Sequence, residues 1–253
     1  LLAFQADVSR VFTFMVGHEG SDDIETLSAR VPERHKEFVQ ALLARYGVTL
    51  DLDDPRVAKR EMPLLPAVSA RLMDVAFSHP IKLIANALGV PPQSMIDRAR
   101  AQGVPVAALV GAKEHAIRQV QAGVDIIVAE GAEAGGHTGE VSTLVLVPEV
   151  IRAIQPIRPV PVLAAGGIVT GRQMAAMMAL GAAGAWTGTV WLMTSESEAS
   201  PLIQQKFAAA TSRDTVRSKS RTGKYTRQLR SAWTDAWSAP HSPGPLPMPL
   251  QLF

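Results

Sequence analysis

From residue 81 onward the chain repeats one unit, a short apolar run followed by an amphipathic stretch, at intervals of roughly 25 residues. Strands are expected at 81–88 (IKLIANAL), 104–110 (VPVAALV), 124–129 (VDIIVA), 160–164 (VPVLA) and 185–192 (AWTGTVWL). Helices are expected between them at 91–102, 113–122, 148–154 and 172–180, the second stopping at Gly123. Strands that alternate with helices form a parallel sheet with right-handed crossovers. Two α/β architectures satisfy that pattern, an open doubly wound sheet and a closed (β/α)8 barrel.

The loops separate them. An open dinucleotide-binding sheet carries G-x-G-x-x-G after its first strand, and this chain has no such turn there. Its chemistry-bearing glycines instead follow the third, fourth and fifth strands. The run 124–129 has almost no charge, as befits a strand buried on both faces, and it opens into a loop with Gly131, Gly135, Gly136, His137 and Gly139. Glycine lets a backbone approach a flat ligand and take positive φ. Histidine titrates near neutral pH. Gly166-Gly167 after the fourth strand and Gly188 with Thr189 around the fifth supply paired backbone N–H donors, where barrels commonly bind phosphate. The plainer alternative is a set of tight turns and a solvated histidine.

The rest of the chain sets limits. Its 253 residues suffice for one large barrel domain, 1–253, with 81–192 as the repeating core and 193–253 as a C-terminal extension or lid. A net charge of +2 implies no nucleic-acid or membrane partner, and no apolar run nears the ~18 residues of a membrane span. Without cysteine there is no thiolate nucleophile or Cys-ligated metal, and no His/carboxylate cluster has ligand spacing, so no metal is expected. Ahead of the repeat, residues 11–17 read as a strand. Residues 21–48 read as a helix carrying Phe38, Leu42 and Tyr46 and capped at Gly47. Residues 51–66 read as a proline-rich excursion and 67–77 as a second helix.

The segments E-A-G-G-H-T-G-E (133–140), V-P-V-L-A-A-G-G-I (160–168), A-L-G-A (179–182) and W-T-G-T (186–189) together resemble the nitronate monooxygenase family. Once called 2-nitropropane dioxygenases, these have the flavin enoyl-acyl-carrier reductases among their neighbours. The resemblance implies a (β/α)8 barrel with FMN at its C-terminal face, the five strands matching the fourth to eighth of the barrel. The family's first two strands have no counterpart. His137 then matches the catalytic histidine, and Gly135 and Gly136 the residues lying close to the isoalloxazine. Ala165, Gly166 and Gly167 match the phosphate turn, and Gly188 with Thr189 a second phosphate contact. Leu109 departs from the family, which often has a polar or basic residue there at the pyrimidine edge of the flavin; Asn86 is the nearest polar group to take over.

The activity so implied is FMN-dependent oxidation of alkyl nitronates with O2 by a cytoplasmic enzyme, a homo-oligomer being allowed. The alternatives are an FMN-dependent dehydrogenase or reductase of a CoA- or carrier-linked thioester and, outside this class, a phosphate-binding lyase or isomerase barrel without flavin. A neutral imidazole suits proton abstraction α to a nitro group or thioester because its pKa lies near the operating pH. Glu133 and Glu140 flank His137, and one of them could orient it. The basic run 213–230 reads as a solvated helix-loop face or as a rim attracting an anionic substrate. Trp186, Trp191, Trp233 and Trp237 read as packing residues, and His18, His35, His79, His115 and His241 as incidental.

Overall fold

The computed structural model describes residues 11–14, 29–48, 66–197 and 199–252. In chain order the elements are β1 (Val11–Phe14), α1 (Glu33–Arg45), α2 (Pro66–Phe77), β2 (Leu83–Asn86), α3 (Gln93–Ala101), β3 (Val106–Val110), α4 (Lys113–Ala122), β4 (Ile126–Glu130), β5 (Gly136–His137), α5 (Thr143–Ile154), β6 (Val162–Ala165), α6 (Gly171–Ala179), β7 (Gly184–Trp186), α7 (Pro201–Ala209), β8 (Thr215–Ser218), β9 (Thr226–Leu229) and α8 (Ala232–Ser238). Contacts divide the chain into two compact units. The first spans Leu1–Gly20, Met62–Ala134 and Thr138–Gly188, and the second Ser21–Glu61, Gly135–His137 and Thr189–Phe253. The 21–32 part of the expected first helix lies partly, and the 51–65 excursion and His18 wholly, outside the described residues.

The first unit is built on one parallel sheet, in the order β1-β2-β3-β4-β6-β7. Four of the expected core strands appear within a few residues of their sequence limits, and α4 spans Lys113–Ala122 as expected, ending on left-handed Gly123 at φ 99°. Side chains alternate along each strand. Ile84, Val106, Ala108, Val110, Ile127, Ala129, Val162 and Ala164 pack with Met95, Leu146, Val150 and other helix residues in the larger core cluster. Ala85, Ala107, Val128 and Ala165 form the other face, with Leu83, Leu109, Ile126, Leu163 and Trp186 against them. Ile127, Val128 and Ala129 are fully buried, as a strand covered on both faces requires.

Two elements of this unit differ from expectation. Helix α5 begins at Thr143, not at Pro148, which lies inside it. A proline is more at home in a first helical turn, but burial of Leu146, Val147, Val150 and Ile154 along one stripe outweighs the missing backbone bond. The expected 185–192 strand is only Gly184–Trp186 long, and its second half winds into a 3₁₀ turn, Thr189–Met193. Thr187-Gly188 ends the pairing with β6, whose last partners are Ala165 and Trp186.

In the second unit β5, β9 and β8 form an antiparallel sheet, so the basic 213–230 run is a hairpin and not a helix-loop face. Its β-branched Thr215, Val216 and Thr226 favour that outcome. Trp237 is buried, with Phe38 of α1 edge-on at 4.9 Å between ring centroids and Trp233 at 5.8 Å. His35 is not incidental. It is buried, and its Nε2 donates to the Gly244 carbonyl at 3.0 Å.

Strand β4 ends on Glu130, which alternation from Ile126 and Val128 puts on the smaller sheet face, opposite Ala165 in register. Burial alone pushes its carboxyl up to about 7. Between its ordinary pKa of 4.5 and about 7, the folded chain therefore keeps a proton that the unfolded chain has released. Stability should fall as pH rises through that window and level off above it, by a total on the order of 3 kcal/mol. Urea midpoints from pH 4.5 to 7.5 should show this slope flattened in Glu130→Gln relative to the parent; parallel curves would mean that Glu130 ionises freely in the folded state.

Candidate active site

In the first unit the glycine loop after β4 is tied to the end of β6. Gly131 N–H donates to the Ala165 carbonyl at 3.0 Å, and Ala134 N–H to the Gly131 carbonyl at 3.0 Å. Thr143, only 4% exposed, sits at the junction. Its N–H (2.9 Å) and hydroxyl (3.0 Å) both reach Glu133 Oε2, and Oγ1 lies 3.2 Å from the Ala165 carbonyl and 3.1 Å from that of Gly166. Glu133 thus fixes the start of α5 and does not orient a histidine. A Cβ on Gly131 would stand 2.2 Å from Thr143 Oγ1, and one on Gly166 would stand 2.8 Å from it. Glu140 is exposed.

Ala165 closes β6, and the next two residues, Gly166 and Gly167, take φ of 109° and 71°. That turn leads into α6, whose N-terminus Thr170 caps by accepting from Gln173 N–H; Gln173 folds back so that its Nε2 donates to the Gly167 carbonyl at 2.8 Å. Among the described residues, nothing accepts from the N–H groups of Gly166, Gly167 or Ile168. The arrangement offers free backbone donors at a helix start, with no lysine or arginine in the turn, which is the chemistry an anion needs. Gly188 lies two residues beyond Trp186, the register partner of Ala165.

Asn86 falls elsewhere. It follows Ala85 on β2, so alternation turns it toward the helix side with Ile84 and away from Leu83, Ala85 and Leu109. Its Nδ2 donates to the carbonyls of Leu88 (3.2 Å) and Gly89 (2.8 Å), and Gln119 Nε2 also donates to Gly89 at 2.8 Å. Those bonds shape the loop after β2. Among the described side chains, Glu130 is a polar one on the same face as Leu109. Counting residues forward from Val128 places it there, but the apolar run alone does not single it out.

In the second unit Gly136 pairs with Arg227 and His137 with Thr226. His137 is half-buried, and its Nε2 lies 2.8 Å from Thr222 Oγ1. Burial, then the charges of Lys224 and Arg221, hold its pKa below the usual 6.5, so the imidazole is neutral at neutral pH. Gly135 admits the Thr189 hydroxyl, 3.2 Å from where its Cβ would be, and Gly136 takes φ 85° with open space around it. The second unit thus groups Gly135, Gly136, His137 and Thr189, while the first groups Ala165, Gly166, Gly167 and Gly188. Thr222 carries no motif, and nothing in the sequence spacing marks it. Among the described residues no cluster of three metal-ligating side chains occurs, and no helix is long and apolar enough to cross a membrane.

The profile described as Nitronate monooxygenase matches residues 43–249. A protein of Mycobacterium tuberculosis named as a monooxygenase is 53% identical over 239 residues, which is 94% of this chain and 63% of that protein. A Rhodococcus jostii dehydrogenase named for an indene carboxyl-CoA compound is 36% identical over 159 residues, 63% of this chain and 44% of its own length. The solved nitroalkane oxidase of Streptomyces ansochromogenes superposes with a TM-score of 0.74 at 25% identity, covering 96% of this chain and 66% of that one. This likeness upholds the α/β barrel class, while the chain spans under two thirds of each of these proteins. By the profile match over most of its length, the chain belongs to the nitronate monooxygenase family.

Proposed function

We propose that the protein is an FMN-dependent oxidoreductase that oxidises alkyl nitronates with O2, with His137 as the base for neutral nitroalkanes. The observation that carries this reading is a neutral imidazole, half-buried and next to two cations, in a glycine-rich loop. Free N–H groups at Gly166 and Gly167, on backbone no side chain could easily follow, fit the phosphate of FMN without a basic side chain. Ala165 and Gly188, in the same unit, belong to that anchorage on this reading, and in the second unit Gly135 and Gly136 leave room for a flat ring beside Thr189. When bound, the flavin supplies the electron-accepting chemistry. His137 takes the proton α to the nitro group, and the charges of Arg221 and Lys224 favour the anion so formed.

A second reading, a dehydrogenase or reductase of a CoA- or carrier-linked thioester, is favoured by the hairpin. Of the cations in the 213–230 run, Arg227 lies on β9, the strand that pairs with His137, and Arg221 and Lys224 lie in the turn that leads into it, while the Rhodococcus relative is named for a carboxyl-CoA compound. Arg227 is engaged within the hairpin, where its Nη1 donates to Thr215 Oγ1 at 2.9 Å. Arg221 and Lys224 are therefore the pair to neutralise.

Three outcomes are expected. His137→Asn should keep bound flavin yet lower kcat/KM for nitroethane by about 10²–10⁴-fold, sparing the pre-formed nitronate; equal loss on both would make His137 a binding group instead. Gly167→Glu puts a carboxylate on the phosphate turn, so the folded protein should purify colourless by absorbance, whereas full yellow colour would place the phosphate elsewhere. Arg221→Gln with Lys224→Gln should raise KM for an acyl-CoA, an effect fading with salt because exposed charges are screened within about 10 Å at ~0.1 M. Removing those cations should also move the acid limb of kcat/KM for nitroethane to higher pH, since they hold the His137 pKa down. An unchanged acyl-CoA KM would leave nitronates as the substrate class.

A further inference from the structure

We infer that Thr222 is the positioning residue of His137: its oxygen accepts from Nε2–H, which fixes the tautomer and leaves Nδ1 as the proton-accepting nitrogen. The inference rests on the reading of His137 as the base. Nε2 and Thr222 Oγ1 are 2.8 Å apart, and no other described group hydrogen-bonds the ring. If the threonine hydroxyl donated to Nε2, both ring nitrogens would be occupied, one by that bond and the other by its own hydrogen. Such a ring has no lone pair to offer. The opposite arrangement works: Nε2–H points at Oγ1, the hydroxyl hydrogen turns to the Lys224 carbonyl at 3.4 Å, and Nδ1 keeps its lone pair. Once Nδ1 has taken a proton, Oγ1 still accepts from the imidazolium, and such charge-assisted bonds are the stronger kind.

The fold holds Thr222 in place for this. It is 8% exposed, in the turn between β8 and β9. Next to it, Gly223 takes φ 83° and presses on the C-terminal segment, where a Cβ would stand 2.4 Å from both the Leu246 carbonyl oxygen and Met248 N. On the other side, the carbonyl of buried Ser220 accepts from Trp233 Nε1 at 3.1 Å and Gln251 Nε2 at 2.9 Å. A turn clamped at both flanks can hold one hydroxyl against one ring nitrogen. The charged groups acting on the ring are Arg221 and Lys224, with Arg227 on the strand opposite Gly136.

The test compares Thr222→Val and Thr222→Ser in the purified flavoprotein. Long-range ¹H–¹⁵N NMR, with His137→Asn to assign the signals, reports the tautomer and pKa of His137. The parent and Thr222→Ser should show the Nε2–H form. Thr222→Val should show a mixture of tautomers, and its His137 pKa should fall by about one unit as the imidazolium loses its acceptor. The acid limb of kcat/KM for nitroethane should shift down with it and the plateau drop about tenfold, with the nitronate rate unchanged and the serine variant restored. An unaltered tautomer and pKa in Thr222→Val, or Nδ1–H in the parent, overturns the inference. If Thr222→Val does not fold, the tautomer in the parent and in Thr222→Ser still decides. Should His137→Asn leave nitroethane turnover intact, the base assignment fails by itself, while the NMR result continues to report on Thr222.

Discussion

The first unit depends on one buried hydroxyl. Thr143 stands where side chains at Gly131 and Gly166 would have to be, and it joins the start of α5 to the end of β6 through Glu133 and the carbonyls of Ala165 and Gly166. A single hydroxyl hydrogen cannot serve three acceptors together, so its donation is shared, while the Thr143 N–H keeps Glu133 fixed. The glycines on either side are consequences of that packing before they are features of a ligand site. Any residue with a Cβ at 131 would displace backbone, and the turn at 166–167 would move with it. The N–H groups left free there are a by-product of a turn too tight to satisfy them internally, and an anion is the natural partner for such groups.

A second constraint is the alternation of side chains along short parallel strands. It sorts Ala85, Ala107, Val128 and Ala165 onto one face, and it sorts Asn86 onto the other. An amide looks like a substitute for the polar residue that Leu109 lacks when only its neighbouring strand is considered. One residue of parity decides otherwise. The same parity brings Glu130 to the face of Leu109, where burial keeps the carboxyl protonated to about pH 7. A neutral carboxyl there is a hydrogen-bond donor where a glutamate is normally an acceptor.

The order of strands and helices was legible in the sequence because each buried strand is a short apolar run and each helix has one apolar stripe. The glycine motifs picked out the tight Gly166-Gly167 turn and the loop of His137 by their order alone. Three things were not legible, for physical reasons. Pro148 is a strong local signal for a helix start, and only the tertiary burial of the stripe from Leu146 to Ile154 overrides it. The basic 213–230 run has a charge pattern typical of a solvated face, yet its partner strand is Gly136–His137, some eighty residues away in sequence. Thr222 is one hydroxyl among many in a polar turn. Its role comes from the clamp on Gly223 and Ser220, which involves residues 246–251 and cannot be read locally.

If His137 is the base proposed above, placing cations beside it looks self-defeating, because Arg221 and Lys224 make His137 harder to protonate. The resolution lies in linkage. An anion beside the same cations cancels part of their field, so the imidazole regains basicity as negative charge develops on the substrate. By reciprocity a protonated His137 holds that anion more tightly than a neutral one does. In the resting protein the ring is neutral with a lone pair available. In the product of the proposed proton transfer, imidazolium and carbanion would offset one another within a cationic surround. On the proposed reading the hairpin supplies both halves of the device: the hydroxyl that orients the ring, and the charges that make its basicity depend on what is bound.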